Sequence, residues 1–183
     1  MTARWIVTAL GQDRPGIVAG VTKALYQLGC NLEDSAMTRL EGEFAIMLIF
    51  SGPSSVTAER IAKAFEPLKR QLVVHVKRLN PAETTAPASR GTPYMISMYG
   101  GDHPGIVFRV AEALAKEHVN ITDVHTHRSQ PQKGKPSSSL YLMLLEIEVP
   151  ARLSAASLER LLAQLGKRLG VQVSLRPSET AVL

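Results

Sequence analysis

The chain has 183 residues, 45% of them hydrophobic, with a net charge of +5 and a pI near 9.6. That length admits one sizeable core or two small ones, and no run approaches the roughly 20 apolar residues a bilayer-spanning helix needs. The basic residues lie scattered as singles and pairs, such as Lys69-Arg70, Lys77-Arg78 and Lys167-Arg168, and without a run or stripe they argue against direct binding of DNA or RNA.

Met1 to Leu10 has no basic segment followed by an apolar core and a cleavage site, so the expected compartment is the cytoplasm. The single Cys30 has no disulfide partner in the chain and no neighbour at metal-ligand spacing. It follows Gly29 at a helix end and reads as a packing residue.

Trp5 to Leu10 is β-branched and aromatic and reads as a strand ending at Gly11. Asp13-Arg14-Pro15-Gly16 then opens a helix, with Asp13 as the expected cap and Pro15 at the first helical position, where its missing N–H costs nothing. Ile17, Val18, Val21, Leu25 and Leu28 share the apolar helical face, and Gly29 supplies a left-handed stop. Asn31 to Arg39 and Phe44 to Ser51 form a hairpin about Glu41-Gly42. Thr57 caps a second helix reaching about Arg70, stapled by Val56 and Ile61. Leu72 to Arg78 closes the unit as a strand, giving the order βαββαβ.

The same order then repeats. Gly11 to Arg39 aligns without a gap on Gly100 to Arg128, an offset of 102 − 13 = 89, with twelve of the twenty-nine pairs identical. The identities include Asp13/Asp102, the Pro-Gly-Ile-Val run, Asn31/Asn120 and Asp34/Asp123. Second-copy elements are expected at Tyr94 to Tyr99, Gly105 to His118, Asn120 to Arg128, Leu140 to Val149, Ser154 to Leu169 and Val171 to Arg176. Past the hairpin the offset becomes 150 − 53 = 97. The extra eight residues fall in Ser129 to Ser139, whose polar, Gly- and Pro-containing composition reads as a mobile loop. His118 stands where Gly29 does and reads as a left-handed stop. A repeat this long means duplicated domains, at 1–80 and 94–183, joined by a Pro-rich linker over 81–93.

Each βαββαβ unit implies an α+β, ferredoxin-like fold, a four-stranded antiparallel sheet with both helices on one face. The third strand, however, is apolar on both sides: Phe44, Ile46, Leu48 and Phe50 against Ala45, Met47 and Ile49. Leu140 to Leu145 behaves alike. The helix-free faces are therefore expected to be covered by domain or subunit contact, as in a homodimer.

The duplicated loop suits a small zwitterion. A helix start offers unpaired N–H groups and a positive dipole end to a carboxylate. Gly16 and Gly105 let a ligand approach the backbone, Asp13 and Asp102 answer an ammonium group, and the Asn31 and Asn120 amides donate or accept. The same residue types serve equally as caps, helix starts and left-handed turns. Asp123, His125 and His127 alternate on one strand face as metal ligands can, but Asp34, Ala36 and Thr38 replace them in the first copy, and no fourth ligand stands out. A metal is therefore not expected, nor any cofactor. His103, at the Arg14 position, reads as a loop contact.

The strand, the Asp-Arg-Pro-Gly-Ile-Val loop with its helix, and Gly-Cys-Asn-Leu-Glu-Asp leading into a strand resemble an ACT domain, the small-molecule-binding regulatory module of amino-acid metabolism. Two such units with almost nothing else resemble the glycine cleavage system transcriptional repressor family over residues 4 to 177. The resemblance implies a ligand held at an interface between two domains by Asp13 and Asn31, or by Asp102 and Asn120, with Gly11 and Gly100 where some members carry a further polar residue. Arg14, Pro15, Gly16 and Ile17 complete the first candidate site, and His103, Gly105 and Ile106 the second; the first is favoured as the binding site. The resemblance also implies an amino acid such as glycine as ligand and action through a transcriptional activator.

An enzyme is the first rival reading, but no nucleophile elbow, Walker loop, zinc signature or carboxylate pair is present, and no catalytic residue is expected. An RNA-recognition motif shares the element order, yet the third strand lacks its Gly-aromatic consensus. A regulatory subunit of a metabolic enzyme is the alternative partner class.

Overall fold

The computed structural model describes residues 2–80, 91–129 and 140–178. It divides into two compact units, Met1–Ala86 and Pro87–Leu183. The first contains strands β1 (Thr2–Gln12), β2 (Asn31–Leu40), β3 (Glu43–Pro53) and β4 (Leu72–Leu79), with helices α1 (Ile17–Gln27) and α2 (Ala58–Ala64). The second contains β5 (Gly91–Gly101), β6 (Asn120–Arg128), β7 (Leu140–Pro150) and β8 (Val171–Pro177), with α3 (Ile106–Lys116) and α4 (Ala155–Leu169). The sheets have the orders β2-β3-β1-β4 and β6-β7-β5-β8, antiparallel throughout. Each unit is thus the α+β, βαββαβ fold expected. Among the described residues, no helix is long and apolar enough to cross a membrane.

Alternation along the strands builds each core. In the first unit Ala3, Trp5, Val7 and Ala9 of β1 and Phe44, Ile46, Leu48 and Phe50 of β3 pack against Ile17, Val21, Ala24 and Leu25 of α1 and Ile61 of α2. In the second, Ile96 and Met98 of β5 and Met143, Leu145, Ile147 and Val149 of β7 meet Ile106, Val110, Leu114, Leu158 and Leu162. The opposite sheet faces also carry apolar side chains, among them Leu10 at 49%, Met47 at 47% and Val73 at 62% exposure. Val18, expected on the buried helix face, is 40% exposed; Ala24 is buried in that helix.

The structure corrects the start of both first helices. Gly16 has φ 86° and ψ −4°, Gly105 φ 94° and ψ −1°, and no side chain caps either helix. Ile17 N donates to Arg14 O at 3.3 Å, so Arg14-Pro15-Gly16-Ile17 is a type II turn with Pro and Gly at its two central positions. Pro15 therefore precedes the helix, because a left-handed Gly16 cannot lie within a right-handed one. Asp13 is not a cap.

Other local expectations hold. The hairpin turns on Glu41 and Gly42 with both φ positive, and His118 adopts φ 55° as a left-handed stop. Thr57 accepts from Arg60 N, and Ser154 from Ser157 N; Val56 and Ile61 are buried as a staple pair. The second helix ends earlier than expected, at Ala64, and passes into a 3₁₀ turn over Glu66–Leu68. Pro67 lacks the N–H that an α-helix would donate there. The expected mobile loop over Ser129 to Ser139 lies, apart from Ser129, outside the described residues, as does the linker expected over 81–93 except for Gly91 to Pro93, which begin β5.

A glycine is also required where the first strand of each unit meets the last. A Cβ on Gly11 would stand 1.9 Å from Gln71 O, and one on Gly100 2.7 Å from Val171 Cγ1 and 2.9 Å from its Cα. Gly101, by contrast, has open space within 4 Å. Gly11→Ala and Gly100→Ala are expected to destabilise by about 1–3 kcal/mol or more, since backbone must give way. Gly101→Ala should stay within about 0.5 kcal/mol; denaturant unfolding measures all three. Thr57→Ala should cost about 1 kcal/mol through its lost cap, read by the fluorescence of Trp5, the chain's one tryptophan.

Candidate functional site

The type II turn presents Pro15 and Gly16 at the surface in front of α1, while Ile17 is buried at 4% exposure and Ile106, its counterpart, at 2%. Both isoleucines are core residues, so only their backbone is available to a ligand. Gly11 and Gly100 serve the close approach of neighbouring strands. That leaves Asp13, Arg14 and the turn in the first unit, and Asp102, His103 and the turn in the second.

Neither aspartate is a free anion. Asp13 Oδ2 accepts from Arg39 Nη1 at 3.1 Å, and Asp102 Oδ2 forms an ion pair with Arg128 Nε at 2.9 Å. The two arginines are the last identical pair of the sequence repeat, and the sequence reading did not connect them to the aspartates. Asp13 N also donates to Gly42 O at 2.8 Å, tying the loop to the hairpin turn. In both pairs the arginine side chain is 68% exposed and the aspartate 27% or 24%. Solvent screening at such exposure leaves each pair about 0–1 kcal/mol of stabilisation.

Asp34 and Asp123 have a structural role. Each follows an irregularity in strand register, between Leu32 and Asp34 and between Ile121 and Asp123. Each accepts from the next backbone N–H at 2.8 Å, that of Ser35 or Val124, which satisfies the local backbone at a bulge.

Asn31 and Asn120 do not join the aspartates within a unit. Asn31 pairs with Ser51, which pairs with Arg4 of β1; Asp13 follows the far end of that strand. Nine residues of extended chain separate the two levels, about 30 Å at 3.3 Å per residue. Asn120 is likewise level with Pro93 through Glu148, nine positions before Asp102. Both asparagines are exposed. A site containing both residue types needs its asparagine from another sheet.

The two loops differ at one position. His103 Nε2 lies 2.6 Å from Leu169 O and so donates to the C-terminal end of α4, the loop contact expected. Arg14 is exposed, and its side chain has no partner among the described residues. Two cavities of the second unit, of about 520 and 560 Å³, run along α4 and β8 and between α3 and α4. Neither is lined by Asp102, His103, Gly105 or Asn120, while Gly100 lines the first.

Other reactive groups are accounted for locally. Cys30 packs against the first core, and burial pushes its thiol up, with Arg60 as the smaller opposing effect, the direction of an unreactive thiol. His125 Nε2 lies 2.8 Å from Asp123 Oδ2. Among the described residues, no group of three His, Cys, Asp or Glu side chains is placed to hold a metal ion.

Comparison with known proteins identifies the two units. The ACT-domain family profiles match residues 4–78 and again 94–167. The glycine cleavage system transcriptional repressor of Escherichia coli (strain K12) is 30% identical over 175 residues, 93% of this chain and 87% of that protein. The protein of the same name from Shigella flexneri matches to the same extent. Among solved structures, an unknown protein from Galdieria sulphuraria has 25% identity and a TM-score of 0.81, covering 98% of this chain and 100% of that one. A protein assigned as a glycine cleavage system transcriptional repressor has a TM-score of 0.66 at 20% identity, over 98% of this chain and 99% of that one, a likeness of fold. The duplicated fold, the duplicated loops and the match along nearly the whole length agree: the chain is a tandem ACT-domain protein and belongs to the family of the glycine cleavage system transcriptional repressor.

Proposed function

We propose that this protein is a non-enzymatic cytoplasmic regulator that binds an amino acid, glycine or a close analogue, and controls transcription by holding a protein activator rather than by touching DNA. The observation that carries the ligand reading is the repeated turn: an Asp–Arg pair beside a Pro-Gly turn and an uncapped helix start, built twice from the same residue types. Unpaired N–H groups and the dipole at that helix end favour a carboxylate, and the aspartate favours an ammonium group. The partner reading rests on the whole-length relatives, whose names describe transcriptional repression. Scattered basic residues give no phosphate-tracking surface.

In this reading the asparagine comes from a second copy of the chain, because its own sheet holds it about 30 Å from the aspartate. A homodimer places the end of one sheet at the beginning of the other, and the exposed apolar residues of the helix-free faces give copies a reason to associate. Ligand binding then selects one arrangement of the copies. A coupling of about 1–3 kcal/mol between that arrangement and partner affinity suffices for regulation. The first site is favoured, since Arg14 is free to meet an anion whereas His103 is spent on Leu169 O.

Calorimetric titration of the intact chain with each of the twenty amino acids tests the reading. One small amino acid should bind, and Asp13→Ala and Asn31→Ala should each weaken it by about tenfold or more, the loss of a charge-assisted hydrogen bond, with an unchanged far-UV spectrum. No heat with any amino acid would leave a pure protein-interaction module. Recovery of a metabolic enzyme in place of a DNA-binding activator on the immobilised chain would overturn the transcriptional part alone.

A further inference from the structure

We infer that Arg39 and Arg128 make the loop sites selective for a ligand with a free carboxylate, an inference that rests on the amino-acid reading above. An isolated aspartate beside the turn would attract any amine. The aspartates present instead a neutral pair of charges, with the carboxylate the less exposed partner and the guanidinium facing solvent at 68% exposure. A guanidinium has five N–H donors in one plane, and its fork matches a carboxylate. The ion-pair contact uses Nη1 in Arg39 and Nε in Arg128, leaving further donors of each group for a ligand.

A zwitterion with ammonium and carboxylate on adjoining atoms completes this arrangement with alternating charge: its ammonium against the aspartate, its carboxylate against the arginine. A plain amine meets repulsion from the arginine, and a plain acid meets repulsion from the aspartate. The pair also links loop to hairpin, but that link has a second component, the Asp13 N to Gly42 O hydrogen bond, which does not involve the guanidinium. A purely structural role for the arginine would change stability without changing the preference between an acid and its amide.

The experiment uses the intact chain and calorimetry with each amino acid and its C-terminal primary amide. The wild type should prefer the acid by about tenfold or more, the scale of a charge-assisted hydrogen bond. R39Q/R128Q should cut the preference by about fivefold, with an unchanged far-UV spectrum, because the fork that adds to the helix end in reading the carboxylate is removed. R39K/R128K, which keeps the charge but not the planar fork, should lose at least about threefold of the preference. An undiminished preference in either double variant overturns the inference, as does a wild type that binds acid and amide alike while still binding amino acids. A wild type silent toward every amino acid overturns the ligand reading itself, and this inference with it.

Discussion

Because β3 runs antiparallel to both β1 and β2, those two strands are parallel to each other, and α1 must carry the chain back along the sheet between them. The loop before α1 and the start of β2 therefore lie at opposite ends of the same sheet. Asp13 and Asn31 cannot meet in one unit, and the second unit repeats the separation with Asp102 and Asn120. The same register brings the end of β2 to the loop, which is why Arg39 meets Asp13 and Arg128 meets Asp102. What one unit brings together is a charged pair, a Pro-Gly turn and a helix start; the asparagine is not among them.

The packing of each unit fits this division. Alternation along β1 and β3 buries one face of those two strands in the first core, whereas the other face retains exposed Leu10, Met47 and Val73. Leaving such side chains in water forgoes about 25 cal/mol per Å² of burial, a reason for copies to associate. The loop residues remain outside either core apart from Ile17 and Ile106. Changing Asp13, Arg39 or Asn31 accordingly alters surface chemistry without disturbing the hydrophobic packing, as a binding surface on a rigid support requires.

Much of this was legible in the chain. The repeat, the strand alternation, the Thr57 and Ser154 helix starts and the Val56–Ile61 staple rest on contacts between residues close in sequence, and local patterns reveal them. Pro15 misled because a first helical position and the second position of a type II turn demand the same φ of proline; only the left-handed Gly16 separates the two. Pro67 ends the second helix by a purely local rule, the missing N–H of proline. The Asp13–Arg39 pair spans 26 residues and depends on strand register, which no local pattern supplies, although Arg39 and Arg128 closing the repeat as an identical pair was a usable signal. Asp34 and Asp123, equally identical, belong to bulges. Identity between the copies marked required residues without distinguishing backbone geometry from ligand chemistry.

The central claim, that an amino acid is held between the aspartate loop of one copy and the asparagine of another, is tested most directly by mixing variants. Asp13→Ala and Asn31→Ala chains, carrying different tags, are each titrated alone and then after subunit exchange verified by mass. A two-fold symmetric mixed dimer contains one doubly altered site and one intact site. With random exchange, about a quarter of all such sites should recover wild-type affinity although each parent binds about tenfold or more weakly. A fully exchanged mixture that recovers no binding, beside a wild type that binds, would contradict the shared site.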